Sequence, residues 1–430
     1  MSADDKMNID EERKYLRKMQ KRYSKASRKQ KGQLLDEMQA ITGKRRKSLI
    51  RLMNSRLERK ARCRQRGNTY QADVDDALRV IAESVDYICP ERLTPNLVWL
   101  AKHLSAHNEM EVSEPLLEQL GRISVSTVAR RLNRIQRDQP RLPRRRGSAH
   151  ANKLTQDVPM VRIPWDEQEP GHFEVDLVHH CGPNAAGEYV CSLQMIDVTT
   201  GWSERVAVLG RSYLVMQDAF RRILGRLPFP VLEIHPDNGS EFFNHHMLRF
   251  WKTRVRGVRL SRSRPYHKND NRFVEQKNST LIRAYLGYER LDTVAHTLAL
   301  NHLYNRMWLY YNFFQPVMRL EEKMIIPGED GQPARVKYRY DQARTPFHRL
   351  CDTHVITQAH RAQLEALRDR TNPRQLRQEI YDWMDYIFSL PGAVPGVAED
   401  VHLTLKPSAC LELGDDISLT FSFARTAVMK

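Results

Sequence analysis

The chain reads as a mixed α/β core preceded by small all-helical domains and followed by a small C-terminal region. Three observations predict this class. In the run 172–178, Phe173, Val175 and Leu177 alternate with Glu174 and Asp176, the period of a strand, and apolar strand-like runs follow at 189–198 and 202–208. From 215 to 311, helical stripes alternate with short apolar runs, as when strands are buried between helices. Before residue 138, apolar residues fall only in stripes of helical spacing.

The core can be laid out in order. Strands are expected at 172–179, 189–198 and 202–208, the first two joined by a turn region at 182–187. A helix follows at 215–227, with Phe220, Ile223, Leu224 and Leu227 on one side. A buried strand at 231–235 delivers Asp237 at its carboxyl end. A short helix near 244–251 and a strand near 258–261 lead into a loop at 262–270. One helix then runs from about 271 to 285, and an aromatic-rich helix spans roughly 296–311.

Three acids stand out by their settings. The chain holds 52 Asp and Glu, so spacing alone would mean little. Asp176 lies inside a strand, a poor place for a carboxylate. It shares a face with Glu174, while Phe173, Val175 and Leu177 share the other. That acidic face needs a cation or water; the bland alternative is a solvated edge strand. Asp237 sits in the turn His235-Pro236-Asp237-Asn238-Gly239, and Glu275 in the first turns of a helix. Brought together, the three would hold hard divalent cations and support cutting and joining of phosphodiesters.

These residues carry a resemblance. From about 171 to 316, roughly a third of the chain, the sequence resembles the catalytic core of DDE transposases and retroviral-type integrases, in the branch found in bacterial insertion sequences. The matching pieces are FEVD ending at Asp176, MIDVTTGW at 195–202, HPDNGSEF at 235–242 and RPYHKNDNRFVEQKN at 264–278. A closing piece is Tyr311-Asn312-Phe313-Phe314-Gln315-Pro316, where Gln315 replaces the usual Arg. The 37 residues between Asp237 and Glu275 slightly exceed the family's usual spacing. The resemblance implies an RNase H-like core, a mixed five-stranded sheet flanked by helices. It also implies Asp176, Asp237 and Glu275 as catalytic ligands of two Mg²⁺ (or Mn²⁺) ions. End hydrolysis and strand transfer would follow, with no covalent protein–DNA link.

Charge points the same way. Residues 13–66 carry 21 Lys and Arg against three acids, a local net of +18. The whole chain is +17, so the remainder comes to −1. Such density favours phosphate contacts over a merely solvated face. No run of 18 apolar residues suggests a membrane span, and no signal-peptide core opens the chain. Cys63, Cys89, Cys181, Cys191, Cys351 and Cys410 form no CxxC pair, which fits reduced thiols in a cytoplasmic protein; the resemblance implies a bacterial, nucleoid-associated one. His103 and His107 have helical ligand spacing, but without paired cysteines they read as ordinary polar positions.

The basic region suggests a helix-turn-helix. Leu34, Leu35, Met38 and Ile41 form a stripe, Thr42-Gly43 breaks it, and 44–54 resumes it with Leu49, Leu52 and Met53 inward. Lys44, Arg45, Arg46, Lys47 and Arg51 would face DNA. A second candidate places Leu116, Leu117 and Leu120 before Gly121, then a helix capped by Ser124 or Ser126, with Arg130, Arg131 and Arg134 outward. A helical stretch at about 73–107 separates the two, and 139–147, with Arg144, Arg145 and Arg146, reads as a basic linker. Expected domains are 1–68, 69–138, the linker 139–164, the core 165–318 and the C-terminal region 319–430.

Around the acids, Glu174 is expected in a supporting role, Asp197 in shaping a turn, and Glu241 in capping or orienting the next helix. Asp270 or Asn271 would cap the Glu275 helix. His235 is expected to be hydrogen-bonded at a strand end. Arg264, Tyr266 and Lys268, with Lys277 and Arg283 on the helix, are candidate DNA contacts. Beyond 316, a β-module near 337–347 and helices at 357–370 and 374–390 are expected. The most economical function is an insertion-sequence transposase that binds element ends and target DNA and works as a homo-oligomer. A DNA-binding regulator on an inactive core and a nuclease without strand transfer are the rivals.

Overall fold

The computed structural model describes residues 9–55, 57, 70–135, 167–237, 239, 241–254, 257–263, 271–326, 335–405, 411–412 and 418–419. Arg144, Arg145, Arg146, Arg264, Tyr266, Lys268 and Asp270 therefore lie outside the described residues. The chain falls into two compact units, Met1–Thr69 and Tyr70–Lys430.

The first unit holds three helices: α1 Ile9–Lys25, α2 Arg28–Thr42 and α3 Arg46–Met53. Their shared core is Leu16, Met19, Leu34, Leu35, Met38, Leu49 and Met53. Gly43 closes α2 with φ 65°, a left-handed turn that glycine adopts without penalty. Two details depart from expectation. Ile41 is 45% exposed, because α2 turns its last residues out before Gly43. Lys44 lies in the turn and Arg45 at the N-cap, so the cationic run begins before α3.

The second unit opens with α4 Ala72–Ser84, α5 Pro90–Leu93, α6 Leu97–Ala106, α7 Glu114–Arg122 and α8 Val125–Ile135. They enclose Leu78, Ile81, Leu97, Leu100, Leu104, Leu120 and Val128. Ser113 caps α7 by accepting from Leu116 N–H. This helical module is bonded to later elements of its unit. Asp86 accepts from the Tyr285 hydroxyl at 3.0 Å, the Tyr381 hydroxyl at 2.9 Å and Arg377 Nε at 3.1 Å. Gln315, which stands where Arg was expected, donates its amide to Val85 O at 2.8 Å.

The core is a five-stranded mixed sheet in the order β3-β2-β1-β4-β5. Its strands are β1 His172–His179, β2 Val190–Asp197, β3 Ser203–Leu209, β4 Glu233–Pro236 and β5 Arg259–Leu260. β1, β2 and β3 are antiparallel; β4 and β5 run parallel to β1. Helices α9 Tyr213–Arg226, α10 His245–Arg254, α11 Arg272–Lys277, α12 Ala284–Leu286 and α13 Val294–Leu309 flank it. Gly171 has φ 118°, and a Cβ there would come within 2.8 Å of Leu232 Cγ and Pro230 O. Only glycine lets the start of β1 lie this close to the approach to β4.

On β3, fully buried Glu204 accepts from Trp202 Nε1 at 2.8 Å and Trp308 Nε1 at 2.7 Å and pairs with Arg226. The C-terminal region adds a hairpin, β6 Leu320–Ile326 and β7 Arg335–Tyr340, then α14 Pro346–Asp352, α15 Gln358–Asp369 and α16 Pro373–Ser389. Two short strands, β8 Leu411–Glu412 and β9 Ser418–Leu419, pair near the end. His103 and His107 meet α15, their Nε2 atoms bonding Thr371 O at 2.9 Å and Asp369 O at 3.0 Å. No described helix is long and apolar enough to cross a membrane.

Candidate active site

Strand register brings the first two acids together. Glu174 lies opposite His235 and Val175 opposite Pro236, so the next step along these parallel strands sets Asp237 beside Asp176. Neighbouring strands are about 4.8 Å apart, within reach of both carboxylates.

The third acid arrives on α11, which β1 anchors twice. Buried Glu174 accepts from Phe273 N–H at 2.7 Å and Val274 N–H at 2.9 Å. Asn278 donates from Nδ2 to Asp176 Oδ2 at 2.6 Å. Glu275 lies between these anchors and is exposed toward solvent. Past Lys277 the helix widens into a π-helical segment, Asn278–Arg283. Such widenings recur where a helix must present a residue out of its ordinary phase.

The electrostatics report the convergence. Burial pushes the Asp176 carboxyl up to about 8, and the charges of Asp237, Glu275 and Glu241 add to the rise. Asp237 is pushed up to about 6, by burial first and then by Glu241 and Glu275. Leu177 N–H donates to Asp176 Oδ1 at 2.8 Å and Gly239 N–H to Asp237 Oδ1 at 2.9 Å, holding both side chains in place. Glu174 is itself pushed up to about 8 by burial.

Among the described residues, no group of three or more His, Cys, Asp or Glu is placed to hold a metal ion. The donor chemistry nevertheless fits a hard cation: the groups are carboxylates that raise one another's pKa.

Supporting residues differ in part from expectation. Asn271 occupies the N-cap of α11 but makes no capping bond, because the Glu174 carboxylate already holds the first N–H groups. Glu241 does not cap α10. Asn244 does, its Oδ1 accepting from Met247 N–H at 2.9 Å, while the Glu241 carboxylate folds back against Gly239 and acts on Asp237. Asp197 shapes its turn by accepting from Gly171 N–H, Thr200 N–H and Thr200 Oγ1. His235 is buried at the end of β4, with Nδ1 2.7 Å from Ser261 Oγ. Asn278 was missed in the sequence, although its place one turn after Glu275 points it toward the same acids.

The chain matches no family model. It is 34% identical over 329 residues to the uncharacterized protein y4rM of Sinorhizobium fredii, a match spanning 76% of this chain and 91% of y4rM. The chain belongs to the same family as y4rM. Among solved structures, the catalytic core domain of BIV integrase is similar over 43% of this chain and 96% of that domain, with 18% identity and a TM-score of 0.27.

The candidate DNA contacts occupy varied settings. Arg45, Arg46, Lys47 and Arg51 are exposed, Arg46 pairing with Asp36, and half-buried Lys44 meets Glu12 at 2.8 Å. On α8, Arg130 is exposed, whereas Arg131 and Arg134 both pair with Asp75. A phosphate reaching those two would compete with an internal carboxylate. Lys277 is half-buried, its ammonium 4.8 Å from the centroid of the Tyr311 ring. Arg283 donates to His179 O at 2.7 Å and Gly287 O at 3.1 Å.

Proposed function

We propose that the chain is a DNA transposase of an insertion sequence, which cleaves element ends and joins them to target DNA. The observation that carries the proposal is the placement of Asp176, Asp237 and Glu275 on β1, after β4 and on α11, each within the electrostatic reach of another. Mg²⁺ or Mn²⁺, held by these three carboxylates, would supply activation of the attacking oxygen and stabilisation of the leaving 3′-oxygen.

The chain's own residues do the rest. Leu177 N–H and Asn278 fix the Asp176 oxygens, and Gly239 N–H fixes Asp237. Glu174 clamps the start of α11 so that Glu275 projects on the same side. The strongly basic first unit would hold DNA through its phosphates, with α3 and α8 as the helices offered to the grooves. Two element ends must be brought together, which calls for a homo-oligomer on DNA.

The test is purified protein with Mg²⁺ and DNA carrying the element's terminal repeats. Joined products that vanish with Glu275→Gln, while DNA binding persists, are expected. Cleavage without joining would replace the proposal with a simple nuclease, and binding alone with a regulator on an inactive core.

A further inference from the structure

On the face of the sheet that carries the acids lies a group of cations that the reaction above leaves unused. The cross-strand row Asp176–Gln194–Arg205 leads to them from the triad. Arg205 is 2% exposed, lies 5.9 Å from the ring centroids of both Tyr304 and Tyr311, and has no hydrogen-bond partner on any of its three guanidinium nitrogens. Gln194 is fully buried with neither amide atom partnered, and the buried Tyr311 hydroxyl is also unpartnered. Half-buried residues form the rim. The Lys277 ammonium sits over Tyr311, the Arg319 guanidinium lies 4.6 Å from the Phe273 ring centroid, and Arg92 Nε donates to Pro316 O at 2.5 Å. Arg92 and Arg319 lie close to both Lys277 and Tyr311, and Arg205 lies close to them from below.

Nearby acids are committed elsewhere. Asp341 is gripped by Arg349 at 2.6 and 2.9 Å, and Asp197 is taken up by Gly171 and Thr200. Glu174 holds the start of α11. Among the described residues, no carboxylate forms an ion pair with Arg92, Arg205, Lys277 or Arg319. The Arg319 guanidinium feels Asp197, Asp341 and Glu174 without pairing with any of them. Cations gathered out of water without a directly bonded anion are expensive, and guanidinium forks match the oxygens of one anion above all.

We infer that Arg92, Lys277 and Arg319, over a floor of Arg205, Gln194 and Tyr311, form a pocket for a phosphate group. Its source is either a backbone phosphate of a DNA strand or free inorganic phosphate. The DNA source rests on the proposed function; the phosphate chemistry does not. Arg319 and Lys277 give the first contacts, and Arg205 supplies charge from below.

Thermal melts of the full-length, EDTA-treated protein test this, using inorganic phosphate against sodium chloride at matched ionic strength. The wild-type Tm should rise with phosphate and saturate. Lys277→Met, at the rim, should weaken the apparent phosphate affinity at least roughly tenfold, the loss of one charge-assisted contact. Arg205→Met should abolish the response. A wild type that ignores phosphate, with Arg205→Met melting higher at every phosphate concentration, overturns the inference: the cation is then an unliganded burden. A short DNA duplex that removes the phosphate response by competition identifies the backbone as the source. A duplex that leaves the response intact identifies free phosphate. Joining assays fail or succeed separately from these melts, so the pocket and the reaction fall independently.

Discussion

Replacing Asp176 with Asn probes the site without DNA. In the folded, metal-free protein this carboxyl titrates at about 8 rather than 3.8, chiefly through burial and then through Asp237, Glu275 and Glu241. A folded pKa above the unfolded one means that folding takes up a proton. The stability this brings is fully present below pH 3.8 and is lost as pH climbs toward about 8. At about 1.36 kcal/mol per pKa unit, the ceiling is ~6 kcal/mol. The acids share their protons, so the share removed with Asp176 alone is on the order of 2–3 kcal/mol. Asn keeps the local bonds. Leu177 N–H still finds Oδ1, and Asn278, whose own Oδ1 is unpartnered, can turn its amide to accept from the new NH₂.

In a unit of this size roughly 2 °C accompanies each kcal/mol. Calorimetry in EDTA should therefore find Asp176→Asn melting about 4–6 °C above wild type near pH 8, and only about 1–2 °C above it near pH 5. Added Mg²⁺ should close the gap by stabilising the wild type. An equal gain at both pH values, or a lower Tm near pH 8 in a natively folded variant, refutes the reasoning.

Other outcomes rest on the same contacts. If the chain acts as proposed, Asn278→Ala should slow metal-dependent cleavage by about 10–100-fold with little change in DNA affinity, as expected for a group that orients a ligand; a footprinting and cleavage series checks it. Glu174→Ala should strip two buried N–H groups of their acceptor and cost about 2–4 kcal/mol in urea unfolding, whereas Glu174→Gln, which keeps one oxygen, should cost less than half of that. Glu204→Ala should leave Arg226 and two indole N–H groups unmatched in the core and cost about 3–5 kcal/mol by the same measure.

Much of the core was legible because its signals are local. The alternation across 172–179 coincides with β1, and the other strands begin and end within two residues of expectation. Asp176, Asp237 and Glu275 were singled out by their immediate neighbours, and the fold brings their charges within reach of one another. What escaped depends on partners distant in sequence. Asn271 has the local preference of a cap, yet Glu174, 99 residues earlier, supplies the acceptor for Phe273. Arg205 gains meaning only when register sets it across from Gln194. Helix α1 was hidden because, among its residues with described burial, Leu16 and Met19 alone are buried amid dense charge. The π-helical segment after Lys277 has an ordinary helical pattern, and anchorage to Asp176 accompanies its widening.

Asp86 fastens the helical module 70–135 to the rest of its unit. With positive φ at Asp86 (57°) and Tyr87 (50°), the chain pays a small backbone cost to aim one carboxylate at Tyr285, Arg377 and Tyr381 together. On the proposed function, a module riveted in this way would work as a ruler. A strand gripped by α8 would meet the acids at a spacing set by the protein, so the offset between recognised sequence and cut should be constant and insensitive to the length of segment 139–164.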